Sequence, residues 1–261
     1  MKRFALLVLL LATLLTACGP TATPEPRTLT VFAASSLTDA FTEIGQNFEA
    51  AHPGVTVTLN FAGSQALRTQ IEEGAAADLF ASANTKEMET LLSEALVPAD
   101  TAQVFLTNQL LVILPAENPA NIQSLADLAN SGLKLVLAAE EVPVGKYARQ
   151  ALENLNALYG AAYKDKVLAN VVSNEDSVKQ VVTKVQLGEA DAGIVYISDA
   201  VAAPELKTIE IPADYNIIAK YPIAALISAS QPDLAAEFIA YILSADGQAV
   251  LQKWGFTPVN P

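Results

Sequence analysis

Reactive chemistry is scarce in this 261-residue chain. It has a single cysteine, Cys18, so no intrachain disulfide can form. It has a single histidine, His52, in Ala51-His52-Pro53-Gly54, which reads as a surface turn between a helix and a strand. A zinc site needs three or four nitrogen and sulfur ligands, and the sequence does not supply them. A Ser-His-Asp triad would have to use His52, and no Gly-x-Ser-x-Gly elbow is present. There is no Walker A loop and no Gly-x-Gly-x-x-Gly, so neither phosphate-cradling fingerprint applies. Basic residues are few: 15 Lys and Arg stand against 28 Asp and Glu, for a net charge of -13, with no basic run. The overall field is negative, which excludes nucleic acid as the expected partner. An anion can still bind such a protein through local dipoles. These absences point away from an enzyme and from a resident cofactor or metal.

The chain begins like an export signal. Lys2 and Arg3 precede the apolar run Phe4 to Leu15, which is shorter than the ~20 residues of a membrane span. Leu15-Thr16-Ala17-Cys18-Gly19 resembles the bacterial lipoprotein signal, in which cleavage leaves the cysteine first and lipid is attached to its sulfur. Residues 1–18 are therefore expected to be a signal peptide ending at Cys18, the lipid attachment point. Residues 19–27, with Gly-Pro-Thr-Ala-Thr-Pro-Glu-Pro, read as a flexible tether between membrane and domain.

From about Arg27 onward, β runs alternate with helical patterns. Such alternation predicts mostly parallel sheets covered by helices, with ligands beyond the carboxyl ends of the strands. Two β runs, near 104–114 and 216–228, are longer than the mean strand of ~5–6 residues and are read as segments passing between two lobes. Lobe one is expected to comprise residues 28–107 and 219–261, and lobe two residues 108–218, with the ligand cleft between them.

Five strand-to-helix junctions carry small or hydroxyl residues. At Ala34-Ser35-Ser36, a serine stands where an N-cap belongs, with Asp39 three residues after Ser36 as in a capping box. At Phe61-Ala62-Gly63-Ser64-Gln65, Gly63 permits close backbone approach and Ser64 opens a helix. Glu141-Val142-Pro143-Val144-Gly145 places a proline to begin a helix. Ser173-Asn174-Glu175-Asp176-Ser177 is a cluster of cap residues, and Gly193 to Asp199 ends a buried strand at Tyr196. Each junction alone reads as a plain capped βα turn. Together they offer hydroxyls and the free N–H groups of first helical turns to one cleft.

Several motifs, taken in order and spacing, resemble the molybdate-binding receptors of ABC importers. They are Val-Phe-Ala-Ala-Ser-Ser-Leu (31–37), Asn-Phe-Ala-Gly-Ser (60–64), Ala-Asp-Leu-Phe-Ala-Ser-Ala (77–83), Val-Pro-Val-Gly-Lys-Tyr-Ala (142–148), Asn-Glu-Asp-Ser-Val (174–178) and Gly-Ile-Val-Tyr-Ile-Ser-Asp-Ala (193–200). The closing Trp-Gly-Phe (254–256) also fits. The resemblance implies a two-lobed α/β fold of the type II periplasmic-binding class that holds a tetrahedral dianion by neutral donors. By position, Ser36 and Ser64 would each give a hydroxyl and a backbone N–H, Val144 and Ser177 backbone N–H groups, and Tyr196 its hydroxyl. Relatives often carry Ala at the position of Val144 and Val at that of Ser177; both positions serve through the main chain. The implied protein is a lipid-anchored, extracytoplasmic monomer that captures molybdate, and also tungstate, for an ABC permease.

The residues support this chemically. A fully ionised oxyanion offers only acceptors, so its site should offer only donors. Asp39, Glu141 and Asp176 near the junctions are read as caps or surface charges pointing away, Arg68 and Lys146 as solvated helix faces, and Trp254 as core. The alternative is a receptor for another tetrahedral oxyanion such as sulfate or phosphate. Protonated phosphate would call for an inward carboxylate acceptor, and an organic acid for an Arg fork, which no junction carries. A cleft enzyme using Tyr196 with Lys146 or Asp39 finds nothing in the spacing to demand it.

Overall fold

The computed structural model describes residues 26–259; the signal segment 1–18 with Cys18, and residues 19–25 of the tether, lie outside them. Two sheets organise the fold. In the first, β1 (Arg27–Ala34) runs parallel to β2 (Val55–Ala62) over its whole length, from Arg27 opposite Val55 to Ala34 opposite Ala62. β3 (Leu79–Ala81) is parallel on the other side of β1. β4 (Gln103–Asn108), β10 (Ala219–Ala225) and the short β11 (Thr257–Pro258) complete the order β11-β4-β10-β3-β1-β2. The second sheet has the order β7-β6-β8-β5-β9, built from β5 (Leu110–Leu114), β6 (Leu135–Ala138), β7 (Val171–Glu175), β8 (Ala192–Tyr196) and β9 (Lys207–Glu210).

Both sheets are mixed. The parallel pairs β2-β1-β3 and β7-β6-β8 are flanked by antiparallel ones wherever a strand has entered from the other sheet. The β run at 104–114 divides at Gln109: β4 ends in the first sheet and β5 starts in the second. The run at 216–228 does not cross in this way. β10 lies wholly in the first sheet, so the return occupies residues 211–218, where Ile218 is exposed. Asn216 ties the two crossings together, accepting from Leu110 N (3.0 Å) and donating to Leu110 O (2.8 Å).

Helices follow the strands as the apolar spacing requires. α1 (Thr38–Ala51) buries Ala40, Phe41, Ile44 and Phe48 on one stripe. Phe48 stands edge-on to Phe238, with ring centroids 5.0 Å apart, and Phe41 edge-on to Phe105 at 5.9 Å. Asp78, from the 77–83 motif, is structural: buried, it accepts from the amides of Thr30, Ser230 and Gln231 and stitches β1 to the loop after β10. His52 stands at the end of α1, stacked on Phe48, with Nδ1 2.8 Å from Phe48 O. Trp254 is not core but half-buried, and its indole N–H donates to Glu43 (2.8 Å). No single helix among the described residues is long and apolar enough to cross a membrane.

Candidate functional site

Between the sheets lies a small, tight cavity. From the first sheet's side it is lined by Ala34, Ser35, Ser36, Ala62, Gly63, Ser64 and Ala83, and from the second's by Val142, Pro143, Val144, Val178 and Tyr196. No charged residue belongs to this wall. Four of the five residues singled out in the sequence, Ser36, Ser64, Val144 and Tyr196, come together here, each nearly fully buried. Ser177 does not line the cavity; it is the N-cap of the helix whose first residue, Val178, does.

The first helical turns explain what the wall can do. α2 (Ser64–Glu72), α4 (Pro143–Tyr159) and α6 (Val178–Gln186) all begin at the cavity. None of the three has a side-chain cap hydrogen bond, and none has an acidic residue in its first turn. The other α-helices among the described residues, α1, α3 (Thr85–Ser93), α5 (Tyr163–Leu168), α7 (Ile197–Val201), α8 (Pro232–Leu243) and α9 (Ala245–Lys253), each carry Asp or Glu there. The starts of α3 and α9 are also capped, by Asn84 and Ser244. A helix start leaves amides without an intrahelical partner and carries about half a positive charge. The fold therefore neutralises its helix starts everywhere except where three of them converge.

The expected capping box at Ser36 is not formed. Ala34 is the N-cap of a short 3-10 turn, Ser35–Leu37, that leads into α1. The Ser36 hydroxyl instead meets the Tyr221 hydroxyl at 2.9 Å, a partner 185 residues away. Ser64 Oγ accepts from the Ala83 amide at 3.0 Å. An amide can only donate, so the Ser64 proton is left to point elsewhere.

Tyr196 presents a hydroxyl that is buried and has no hydrogen-bond partner. Its pKa is well above the ordinary value, first because of burial and then because of Tyr221, so it remains a neutral donor. Behind it, the buried Asp199 carboxylate accepts from the Tyr196 amide at 3.3 Å. Burial pushes the Asp199 pKa up to about 6, against the opposing pull of Lys179, 3.6 Å away.

Two glycines allow these close approaches. A Cβ on Gly145 would lie 2.0 Å from Ala139 O, so only glycine lets the start of α4 sit on the end of β6. A Cβ on Gly63 would lie 2.7 Å from Asp176 O, a backbone atom across the cleft. Asp39 does not point away: its carboxylate pairs with Lys179 of α6 across the cleft at 2.6 Å. Arg68 is not a solvated helix face: it pairs with Glu72 of its own helix and with the buried Glu87 of α3. No cluster of three or more His, Cys, Asp or Glu among the described residues could hold a metal ion.

The profile of the bacterial extracellular solute-binding proteins matches residues 29–257. The chain belongs to that family. It is 39% identical over 251 residues to the molybdate-binding protein ModA of Mycobacterium tuberculosis, covering 93% of this chain and 92% of that one. The solved substrate binding domain of a putative molybdenum ABC transporter from Clostridium difficile is 33% identical with a TM-score of 0.67, covering 90% of this chain and 100% of that one. The sulfate-binding protein SubI of Mycobacterium tuberculosis has a TM-score of 0.79 at 18% identity, covering 90% of this chain and 88% of that one, a likeness of fold. The α/β architecture with two sheets is thus that of the periplasmic binding proteins. In this solute-binding protein the cavity lies between the two sheets.

Proposed function

We propose that this solute-binding protein captures molybdate, and with it tungstate, between two lobes and delivers it to an ABC permease. The convergence of three uncapped, acid-free helix starts on one uncharged cavity carries the reading. In this reading the first lobe comprises residues 28–107 and 219–261, and the second residues 108–218. Ser36 and Ser64 give hydroxyls and amides, Val144 gives an amide, the Ser177–Val178 helix start gives another, and Tyr196 gives its phenol.

Every group is a donor, which suits a dianion with acceptors only. The buried Asp199 carboxylate behind Tyr196 faces the Tyr196 amide, and no carboxylate lines the wall to repel the ligand. Closure brings the two halves of the donor shell together, and a ligand that touches both halves shifts the population toward the closed form. The 39% identity to a molybdate-binding protein over nearly all of both chains favours this anion over sulfate, whose receptor shares the fold at 18%.

The receptor is further proposed to stand outside the cytoplasmic membrane, held by lipid on Cys18, and to act as a monomer without enzymatic turnover. Loss of membrane association in Cys18→Ala, with the domain still folded, is the result expected from fractionation. The site is tested by Ser64→Ala and Tyr196→Phe. Each should weaken molybdate binding by about 1.5–3 kcal/mol, as for hydrogen bonds to a charged group. Affinities within about twofold of the parent for both variants contradict the assignment.

A further inference from the structure

We propose that Tyr221 is a positioning residue for the anion: its phenol holds the Ser36 oxygen from behind, so that the serine proton points at the ligand. The proposal rests on Ser36 being a donor to the anion, as above. Tyr221 does not line the cavity; it stands on β10, fully buried, with its Oη 2.9 Å from Ser36 Oγ.

A serine hydroxyl has one proton and two lone pairs. If Ser36 donated to Tyr221, its proton would be spent and its lone pairs would face a dianion. If Tyr221 donates to Ser36, one lone pair is satisfied and the proton is free for the ligand. The second arrangement suits an anion site, and Tyr221 can always supply it. Burial raises its pKa far above the ordinary phenol value, so the proton stays on.

The companion serine shows the same arrangement with its direction fixed. The Ala83 amide can only donate, and it sits 3.0 Å behind Ser64 Oγ. Each serine thus has a donor at its back. Tyr221 also packs edge-on against Tyr196, with ring centroids 5.8 Å apart, so one buried phenol touches hydroxyl-bearing side chains from both halves of the cleft. Its ring is held by Phe256, edge-on at 5.8 Å.

The test is a double-mutant cycle, with molybdate affinity read by calorimetry on the whole protein. Tyr221→Phe keeps the ring and removes the proton; the expected loss is roughly three- to tenfold. Ser36→Ala should lose about tenfold or more. The double variant should bind like Ser36→Ala alone, because Tyr221 acts through Ser36. If Tyr221→Phe costs nothing, or costs the same factor in the Ser36→Ala background, the positioning role is refuted. If Ser36→Ala itself binds normally, the site assignment fails, and the role of Tyr221 fails with it. Placing 3-fluorotyrosine at 221 covers the case in which Tyr221→Phe does not fold. This more acidic donor of nearly native shape should bind molybdate at least as tightly as the parent, and a loss contradicts the proposal.

Discussion

Gly63→Ala separates closure of the cleft from stability of the fold. Gly63 has φ -60 and ψ 139, which alanine adopts without strain. The added Cβ would stand 2.7 Å from Asp176 O, against an ordinary carbon–oxygen contact of about 3.4 Å. It would also meet the Gln65 carboxamide at 2.5 Å, but that flexible end can swing away, giving up its 3.4 Å bond to Asp176 O. The backbone oxygen belongs to the segment entering α6 and can yield only if the two halves part by roughly 0.7 Å, the shortfall from that ordinary contact. Donors near 2.9 Å from a shared ligand would then lie at about 3.6 Å, outside the hydrogen-bond range. Weakening the bonds from the second half by a total of about 1.5–3 kcal/mol lowers affinity roughly 10- to 100-fold. The ligand-free protein should change little, within about 0.5 kcal/mol, because the lower entropy of the unfolded chain with alanine offsets a poorer N-cap. Calorimetry with molybdate and urea melts without it read the two effects separately. Affinity within twofold of the parent refutes the claim that this contact limits closure.

Three further outcomes follow from the same geometry. Asp39→Asn removes the cross-cleft pair with Lys179; as both partners are about a third exposed, it should weaken molybdate binding by no more than about fivefold at low salt, and the difference from the parent should vanish near 1 M NaCl. Equal ratios at both salt concentrations contradict that role. Asp199→Asn tests the raised carboxyl: a pKa of about 6 in the fold means stability present below its ordinary value and lost as pH rises through about 6. The shift is worth on the order of 3 kcal/mol, so the variant should gain urea stability relative to the parent at pH 7.5 but not at pH 4; a gain independent of pH refutes it. Gly145→Ala forces a Cβ to 2.0 Å from Ala139 O, so it should cost stability and affinity together, and a melt unchanged from the parent contradicts the packing.

Local features were the legible ones. The small-residue junctions stand in the sequence, each within a few residues. They place four of the five chosen residues on one wall. Long-range partners were not legible. The capping expectation at Ser36 failed because a phenol 185 residues away competes for that hydroxyl. Asp39 looked like a surface charge because Lys179, 140 residues on, is invisible to periodicity. The β run read at 216–228 starts too early because Ile217 and Ile218 extend its apolar pattern ahead of β10, although Ile218 faces solvent. At the fourth junction the wall is Val178 and not Ser177, a shift of one residue that follows from where α6 begins.

The central claim is that a shell of donors between two lobes selects molybdate. Calorimetry on the domain from Arg27 onward with molybdate, tungstate, sulfate and phosphate tests it most directly. Tight binding of molybdate and tungstate, with sulfate and phosphate weak or silent, is the result this account predicts. Tight binding of sulfate or phosphate in place of molybdate, or of none of the four, would contradict it.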